Sequence, residues 1–149
     1  MPLFSQIVVG TDGSESAREA VRQASNLAQM TGAKLDVVSA YEPLPSSRVQ
    51  SERSGAPDDV QHEFGPREDV HLALDGASDI AMQFDVEIKP HARDGDPADA
   101  ILQVAEEVEA DLVVVGNKGM TGARRFLLGS VPNKVSHHAS CSVIIVRTT

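Results

Sequence analysis

The sequence predicts an α/β fold built on one open parallel sheet, and three observations support this prediction. Short apolar runs alternate along the chain with longer segments whose apolar residues recur at helical spacing. Aromatic residues make up only 3% of the chain and Trp is absent, so an aliphatic core is expected, as in parallel sheets buried on both faces. The length of 149 residues fits a single domain, residues 1–149, that needs no disulfide or metal to fold.

Five short apolar runs predict the strands of this sheet, at residues 7–9, 34–41, 86–91, 112–115 and 142–146. One-sided apolar spacing predicts four helices between them, at about residues 14–32, 70–84, 96–108 and 130–139. Because strands and helices alternate, successive strands should lie parallel, with helices on both faces of the sheet.

The predicted helix ends carry residues that suit those positions. Either Ser14 or Ser16 can cap the first helix, and Gly32 can end it in a left-handed conformation. Asp96 can cap the third helix, with Pro97 at its first position. These residues place the turns at both ends of the predicted sheet.

Residues 43–69 differ in character from the rest of the chain. They contain four prolines, several serines and mixed charge, with almost no apolar pattern. We predict a flexible surface loop here. It is either a lid over a ligand or an insertion without a role.

The charge balance argues against several classes of partner. The chain has 13 basic and 22 acidic residues, a net charge of −9. Nucleic acids and anionic membranes both attract basic surfaces, so neither is an expected partner. A single cysteine, Cys141, cannot form an internal disulfide, and the N-terminal segment lacks the pattern of a signal peptide. The expected location is the cytoplasm.

The best candidate for a ligand site follows the fourth predicted strand. Gly116 and Gly119 allow a turn whose N–H groups face one point, and Gly129 and Ser130 come at the start of the fourth helix, which Ser130 can cap. A helix start favours an anion through its N–H groups and its dipole. The basic residues that could add countercharge are Lys118 and Arg124. A phosphate site is one interpretation; glycines that only shape turns are the other.

Patterns of other chemistries are absent from the sequence. Neither G-x-x-x-x-G-K-[ST] nor G-x-G-x-x-G follows a strand, and no G-x-S-x-G is present. His62, His71 and His91 share no spacing with acidic or Cys residues, so a metal site built from side chains is not expected. Asp96 and Asp99 are interpreted as a helix cap and its dipole partner rather than as an acid/base pair.

Three separated motifs together resemble the universal stress protein family. The residues that match the G-x2-G-x9-G-[ST] spacing of its nucleotide-binding members are Gly116, Gly119, Gly129 and Ser130. The opening VVGTDGS at residues 8–14 and the segment GDP at residues 95–97 match in order and position. The resemblance covers nearly the whole chain apart from about residues 44–69, and it is closest to small actinobacterial members.

The resemblance implies a Rossmann-like fold of the adenine nucleotide alpha hydrolase type, with an open five-stranded parallel sheet of order 3-2-1-4-5. It also implies that Asp12 binds ribose, that the backbone of Ala40 binds adenine, and that the glycine-rich segment holds phosphates carrying Mg²⁺ or Mn²⁺. The residues implied for this site are Gly10, Thr11, Asp12, Ala40, Gly116, Asn117, Lys118, Gly119, Met120, Arg124, Gly129, Ser130 and Val131.

The function implied by the resemblance is a regulatory or stress-response sensor that binds ATP, with an unidentified protein partner. The implied homodimer forms through the last strand, Val143–Val146. Pro132 stands where many relatives have a hydroxyl residue, which leaves room for AMP or cyclic AMP. A slow ATPase or self-phosphorylating enzyme and a ligand-free stress dimer are the alternatives. At most weak hydrolysis is expected, because only a phosphate cradle is evident.

Overall fold

The computed structural model describes residues 3–41, 66–117 and 130–148, and it confirms the predicted fold class and strand order. Five parallel strands form one sheet in the order β3-β2-β1-β4-β5. The elements in chain order are β1 (Gln6–Gly10), α1 (Glu15–Thr31), β2 (Lys34–Tyr41), α2 (Pro66–Met82), β3 (Ile88–Asp94), α3 (Pro97–Glu107), β4 (Leu112–Gly116), α4 (Ser130–His138) and β5 (Ser142–Val146).

Two apolar clusters form the core, one on each face of the sheet. Alternate residues of β1 point to opposite faces, so Ile7 and Val9 pack with α1 and α2, whereas Val8 packs with α3 and α4. All three side chains are completely buried. Removal of these aliphatic groups from water on both faces favours a parallel sheet covered by two helix layers.

The caps of the helices explain where two of them begin. Ser14 caps α1, because its Oγ accepts a hydrogen bond from the backbone N–H of Ala17 at 3.2 Å, so Ser14 rather than Ser16 is the cap. Asp96 caps α3 as predicted: its carboxylate accepts from the N–H of Asp99 at 3.1 Å, and Pro97 is the first helical residue. Both caps lie where the chain leaves the carboxyl end of a strand.

The structure corrects three predicted boundaries. The strand expected at residues 86–91 spans Ile88–Asp94 instead, because β3 pairs with β2 as far as Tyr41 and leaves only Gly95, at φ 107°, for the turn. The loop expected at about 43–69 ends earlier than predicted, since α2 already begins at Pro66, and the rest of it, 43–65, lies outside the described residues. Ser130 is the first residue of α4 and not the cap before it.

Within residues 3–41, 66–117 and 130–148, no helix is both long enough and apolar enough to cross a membrane.

Candidate functional site

The order of the strands selects one end of the sheet as the candidate site. The chain runs from β1 outward through β2 to β3 and then returns to the other side of β1 to form β4. The crossovers that leave β1 and β4 therefore diverge, which opens a crevice beyond the carboxyl ends of these two strands. Val9 lies beside Val114 in the sheet, so the turns after Gly10 and Gly116 adjoin the same crevice.

The turn after β1 is held tightly by its own backbone. The N–H of Thr11 donates to the carbonyl of Val38 at 2.9 Å, and the buried Thr11 Oγ1 accepts from the N–H of Gly13 at 3.1 Å. Gly13 adopts φ 83°, and a Cβ there would lie 3.4 Å from the Cβ of Ala73 on α2. A side chain at position 13 would be strained, so the glycine lets the chain turn against α2.

Asp12 lies half-buried at this turn. Its Oδ1 accepts a hydrogen bond from the N–H of Ser14 at 2.9 Å, which fixes the carboxylate beside the cap of α1. A carboxylate has two oxygens and several acceptor positions, so this bond leaves capacity for a ligand hydroxyl. The local role as a turn residue and the predicted role in ribose binding are therefore compatible.

Ala40 lies in β2, which adjoins β1 on the side opposite β4. It is half-buried near the carboxyl end of β2, and its register partner on β3 is Arg93. The next residue, Tyr41, accepts at its carbonyl from the N–H of Gly95 at 2.7 Å. The backbone of Ala40 thus sits at the same end of the sheet as the β1 turn.

Asn117 follows directly after β4 and is bound to the segment that follows β5. Its N–H donates to the carbonyl of Val146 at 2.8 Å. Its Oδ1 accepts from both the N–H and the Oγ1 of Thr148, at 2.9 and 2.8 Å. The sequence predicted Asn117 as a ligand residue, and the structure shows that its carbonyl oxygen already has two internal donors.

The start of α4 is the place at which the sequence predicts an anion site. Ser130 is exposed, whereas Val131 and Pro132 are buried against the sheet. The N–H groups of a first helical turn have no partners within the helix and carry a positive partial charge. Proline lacks an N–H, so Pro132 contributes none to this set. Among the predicted site residues, those outside the described part of the chain are Lys118, Gly119, Met120, Arg124 and Gly129.

A basic side chain of α4 offsets the acidic start of α3. Lys134 Nζ lies 2.8 Å from Asp99 Oδ1 and 3.2 Å from Asp96 Oδ2. Hydrogen bonds to Asp99 and then to Asp96 raise the pKa of Lys134 above its usual value. Asp96 thus caps α3, Asp99 lies in its first turn, and both carboxylates bind Lys134.

His91 has an acidic neighbour that its spacing along the chain does not show. His91 Nε2 lies 2.6 Å from Oδ2 of the buried Asp36, and Asp36 Oδ1 accepts from the side chain of Gln6. Val38 is the register partner of His91, so Asp36, two residues before Val38, lies on the same face of the sheet. Spacing along the chain does not show neighbours across strands. Asp36 interrupts the apolar run of β2, and this was the sequence signal that could have indicated a buried polar contact.

Cys141 packs partly buried at the edge of the core. Burial raises the pKa of its thiol, which is typical of an unreactive cysteine. Among the described residues, no group of three or more His, Cys, Asp or Glu side chains could hold a metal ion.

Comparison with known proteins identifies the family of this chain. The sequence model of the universal stress protein family matches residues 3–147. Universal stress protein Rv1636 of Mycobacterium tuberculosis is 39% identical over 155 residues, covering 100% of both chains.

Two solved structures extend this comparison to ligand complexes. One is a universal stress protein in complex with cyclic AMP, 34% identical with a TM-score of 0.73, covering 98% of this chain and 99% of that one. The other is the universal stress protein of Archaeoglobus fulgidus in complex with dAMP, 25% identical with a TM-score of 0.66, covering 96% and 98%. The chain therefore belongs to the universal stress protein family.

Proposed function

We propose that this protein binds an adenine nucleotide beyond the carboxyl ends of β1 and β4 and acts as a regulatory or stress-response sensor. The observation that carries the proposal is the convergence at one crevice of two strand ends, at Gly10 and Gly116, with the topological switch of the sheet. Relatives that hold cyclic AMP and dAMP support an adenine nucleotide as the ligand class.

The proposed roles are those that the resemblance to the family implies. Asp12 accepts from the ribose hydroxyls with the acceptor capacity that Ser14 leaves. The backbone of Ala40 binds the adenine edge, and Gly10 and Thr11 border the base and sugar. The phosphate-binding residues of the proposal are Gly116, Asn117, Lys118, Gly119, Met120, Arg124, Gly129, Ser130 and Val131.

ATP is the first candidate for the bound nucleotide, with Mg²⁺ or Mn²⁺ carried on its phosphates. AMP and cyclic AMP are the second candidates, and one feature favours them. Pro132 offers neither an N–H nor a hydroxyl in the first turn of α4, so fewer donors are available there for a terminal phosphate.

We propose binding without efficient turnover. Phosphoryl transfer requires a positioned nucleophile or water, a metal and charge stabilisers, and only a cradle for the phosphates is proposed here. Slow hydrolysis or phosphorylation of Ser130 or Thr121 is the competing function. Steady phosphate release from ATP, abolished by Ser130→Glu but faster than in buffer for the wild type, would favour that enzyme.

The binding proposal is tested by titration calorimetry with ATP, AMP and cyclic AMP, and by mass spectrometry of whatever nucleotide is released when the purified protein is denatured. Ser130→Glu places a negative charge where the phosphates are proposed to bind, and it should weaken binding by at least about a hundredfold. A glutamate at a helix start is favoured by the dipole, so the fold should be kept.

Ser136→Glu is the matched control, because it adds the same charge to the same helix at an exposed position near the other end of α4. Its affinity should stay within about threefold of the wild type. No saturable binding of any of the three nucleotides by the wild type, or equal affinity of both variants, would contradict the proposal.

We also propose a homodimer through β5, residues Val143–Val146. The two edge strands differ: β5 presents half-buried Val143, Ile144 and Ile145, whereas β3 has exposed Lys89 and Pro90, which oppose strand addition. Light scattering measures the mass of the assembly directly.

The cytoplasm is the proposed compartment, supported by the single cysteine. The proposed further partner is a protein that recognises the nucleotide-bound state.

A further inference from the structure

A chain of hydrogen bonds links the residue after β4 to the C-terminal segment and to α1. Ser16 Oγ lies 2.7 Å from Thr148 Oγ1, and Thr148 Oγ1 lies 2.8 Å from Asn117 Oδ1. An amide oxygen only accepts, so Thr148 must donate its one hydroxyl hydrogen to Asn117 and therefore accept from Ser16. The direction of the chain is thus Ser16 to Thr148 to Asn117. We refer to these three residues as the C-terminal clasp.

The clasp fixes both the backbone and the side chain of Asn117. The N–H of Asn117 is bound to the carbonyl of Val146, and its Oδ1 has two donors on Thr148. Three bonds from one short segment leave the side chain of Asn117 little rotational freedom. Segments beyond the last element of a fold are often poorly ordered unless they are bound to the rest of the protein. Here Thr148, two residues after β5, is bound to the residue that follows β4.

The position of the clasp connects it to the proposed ligand site. Asn117 is the first residue after Gly116, so its orientation sets the direction in which the chain leaves β4. Ser16 lies in the first turn of α1, immediately after the turn that contains Asp12. The clasp therefore joins the two turns that border the crevice. The sequence analysis did not include Thr148, and it named Ser16 only as a candidate helix cap.

We propose that Thr148 and Ser16 are positioning residues for nucleotide binding: through Asn117 they hold the exit of β4, at Gly116 and Asn117, in its binding orientation. This inference rests on the proposed function. It assigns to Asn117 an indirect role, in which its side chain orders the backbone while its carbonyl oxygen stays with Thr148.

The test compares four variants by calorimetric titration with ATP, AMP and cyclic AMP. Thr148→Val keeps the shape and the backbone bond but removes both hydroxyl contacts, and it should weaken binding about tenfold. Thr148→Ser restores the hydroxyl and should return the affinity to within about twofold. Ser16→Ala removes only the outer bond and should weaken binding about threefold. Thr31→Val is the control, because the Thr31 hydroxyl binds only the carbonyl of Leu27, at the far end of α1.

Thermal unfolding separates positioning from structure. If the clasp positions the site, Thr148→Val and Thr31→Val should have melting temperatures within about 4 °C of the wild type while only the first loses affinity. Equal affinity of the wild type and Thr148→Val would overturn this inference but leave the proposed function intact. Failure of Thr148→Ser to recover binding would overturn it too. Absence of binding by the wild type would overturn the proposed function and this inference with it.

Discussion

The two ends of the sheet differ in the residues that they present. At the amino ends of the strands, two carboxylates are held by the protein itself: Asp111 accepts from the N–H groups of Ser5 and Gln6 and from the Ser5 hydroxyl, and Asp36 is held by Gln6 and His91. At the carboxyl ends, the chain turns through glycines, small residues and helix starts. This is the end at which we propose that the nucleotide binds.

The presence of a groove is therefore not sufficient to identify a ligand site in this protein. A groove of about 670 Å³ lies at the amino ends, lined by Gln6, Lys34, Asp36 and Lys89 among others. Its buried carboxylate, Asp36, already has its partners. We propose that the amino ends contribute stability and the carboxyl ends contribute binding, which the following substitutions test.

The largest effect is expected from Asp36→Ala. This change leaves His91 and Gln6 without their buried acceptor, so the free energy of unfolding should fall by about 2–4 kcal/mol. Denaturant unfolding measures it. Glu87→Ala, which removes an exposed carboxylate from the same groove, should change it by less than about 0.5 kcal/mol. Nucleotide affinity of the folded Asp36→Ala protein should be unchanged; a loss of affinity without a loss of stability would reverse the assignment of the two ends.

An intermediate effect is expected at the other end, from Asp12→Ala. Loss of the proposed ribose acceptor should weaken nucleotide binding about tenfold, which corresponds to about 1.4 kcal/mol. Asp12→Asn keeps an oxygen for the N–H of Ser14 and should bind at an intermediate affinity. Calorimetric titration measures both variants. If Asp12→Ala binds like the wild type, Asp12 is only a turn residue.

The smallest effect is expected from Asp111→Asn. Burial acts to raise the pKa of Asp111, but hydrogen bonds from the backbone of Ser5 and Gln6 outweigh it, so the pKa of this carboxyl lies below its usual value. A lowered folded pKa stabilises the fold above the unfolded pKa, and this contribution disappears as the pH falls through the folded pKa. The asparagine variant should therefore lose at most about 1 kcal/mol at pH 7, since the group is partly solvated.

The pH dependence gives the check on this prediction. Between pH 5 and pH 2, the free energy of unfolding should fall less steeply for Asp111→Asn than for the wild type. Parallel curves would show that the carboxylate does not stabilise the fold.

The sequence predicted the sheet well because its signals are local. Apolar runs such as Leu112–Val115 and caps such as Asp96 depend on neighbours within a few residues. The bonds from Asp36 to His91 and from Thr148 to Asn117 depend on which strands adjoin and in which register, and sequence spacing does not contain that information. The β3 boundary failed for the same reason, because pairing with β2 extends the strand to Asp94.

The position at which a nucleotide binds to the protein can be measured directly. The direct measurement is the change in amide ¹H–¹⁵N chemical shifts of the protein when ATP, AMP or cyclic AMP is added. We predict that the amides of Asp12, Gly116, Asn117, Ser130 and Val131 shift most, while those of Gln6, Lys34 and Asp111 stay in place. Shifts centred on the amino ends of the strands, or no shifts with any of the three nucleotides, would contradict it.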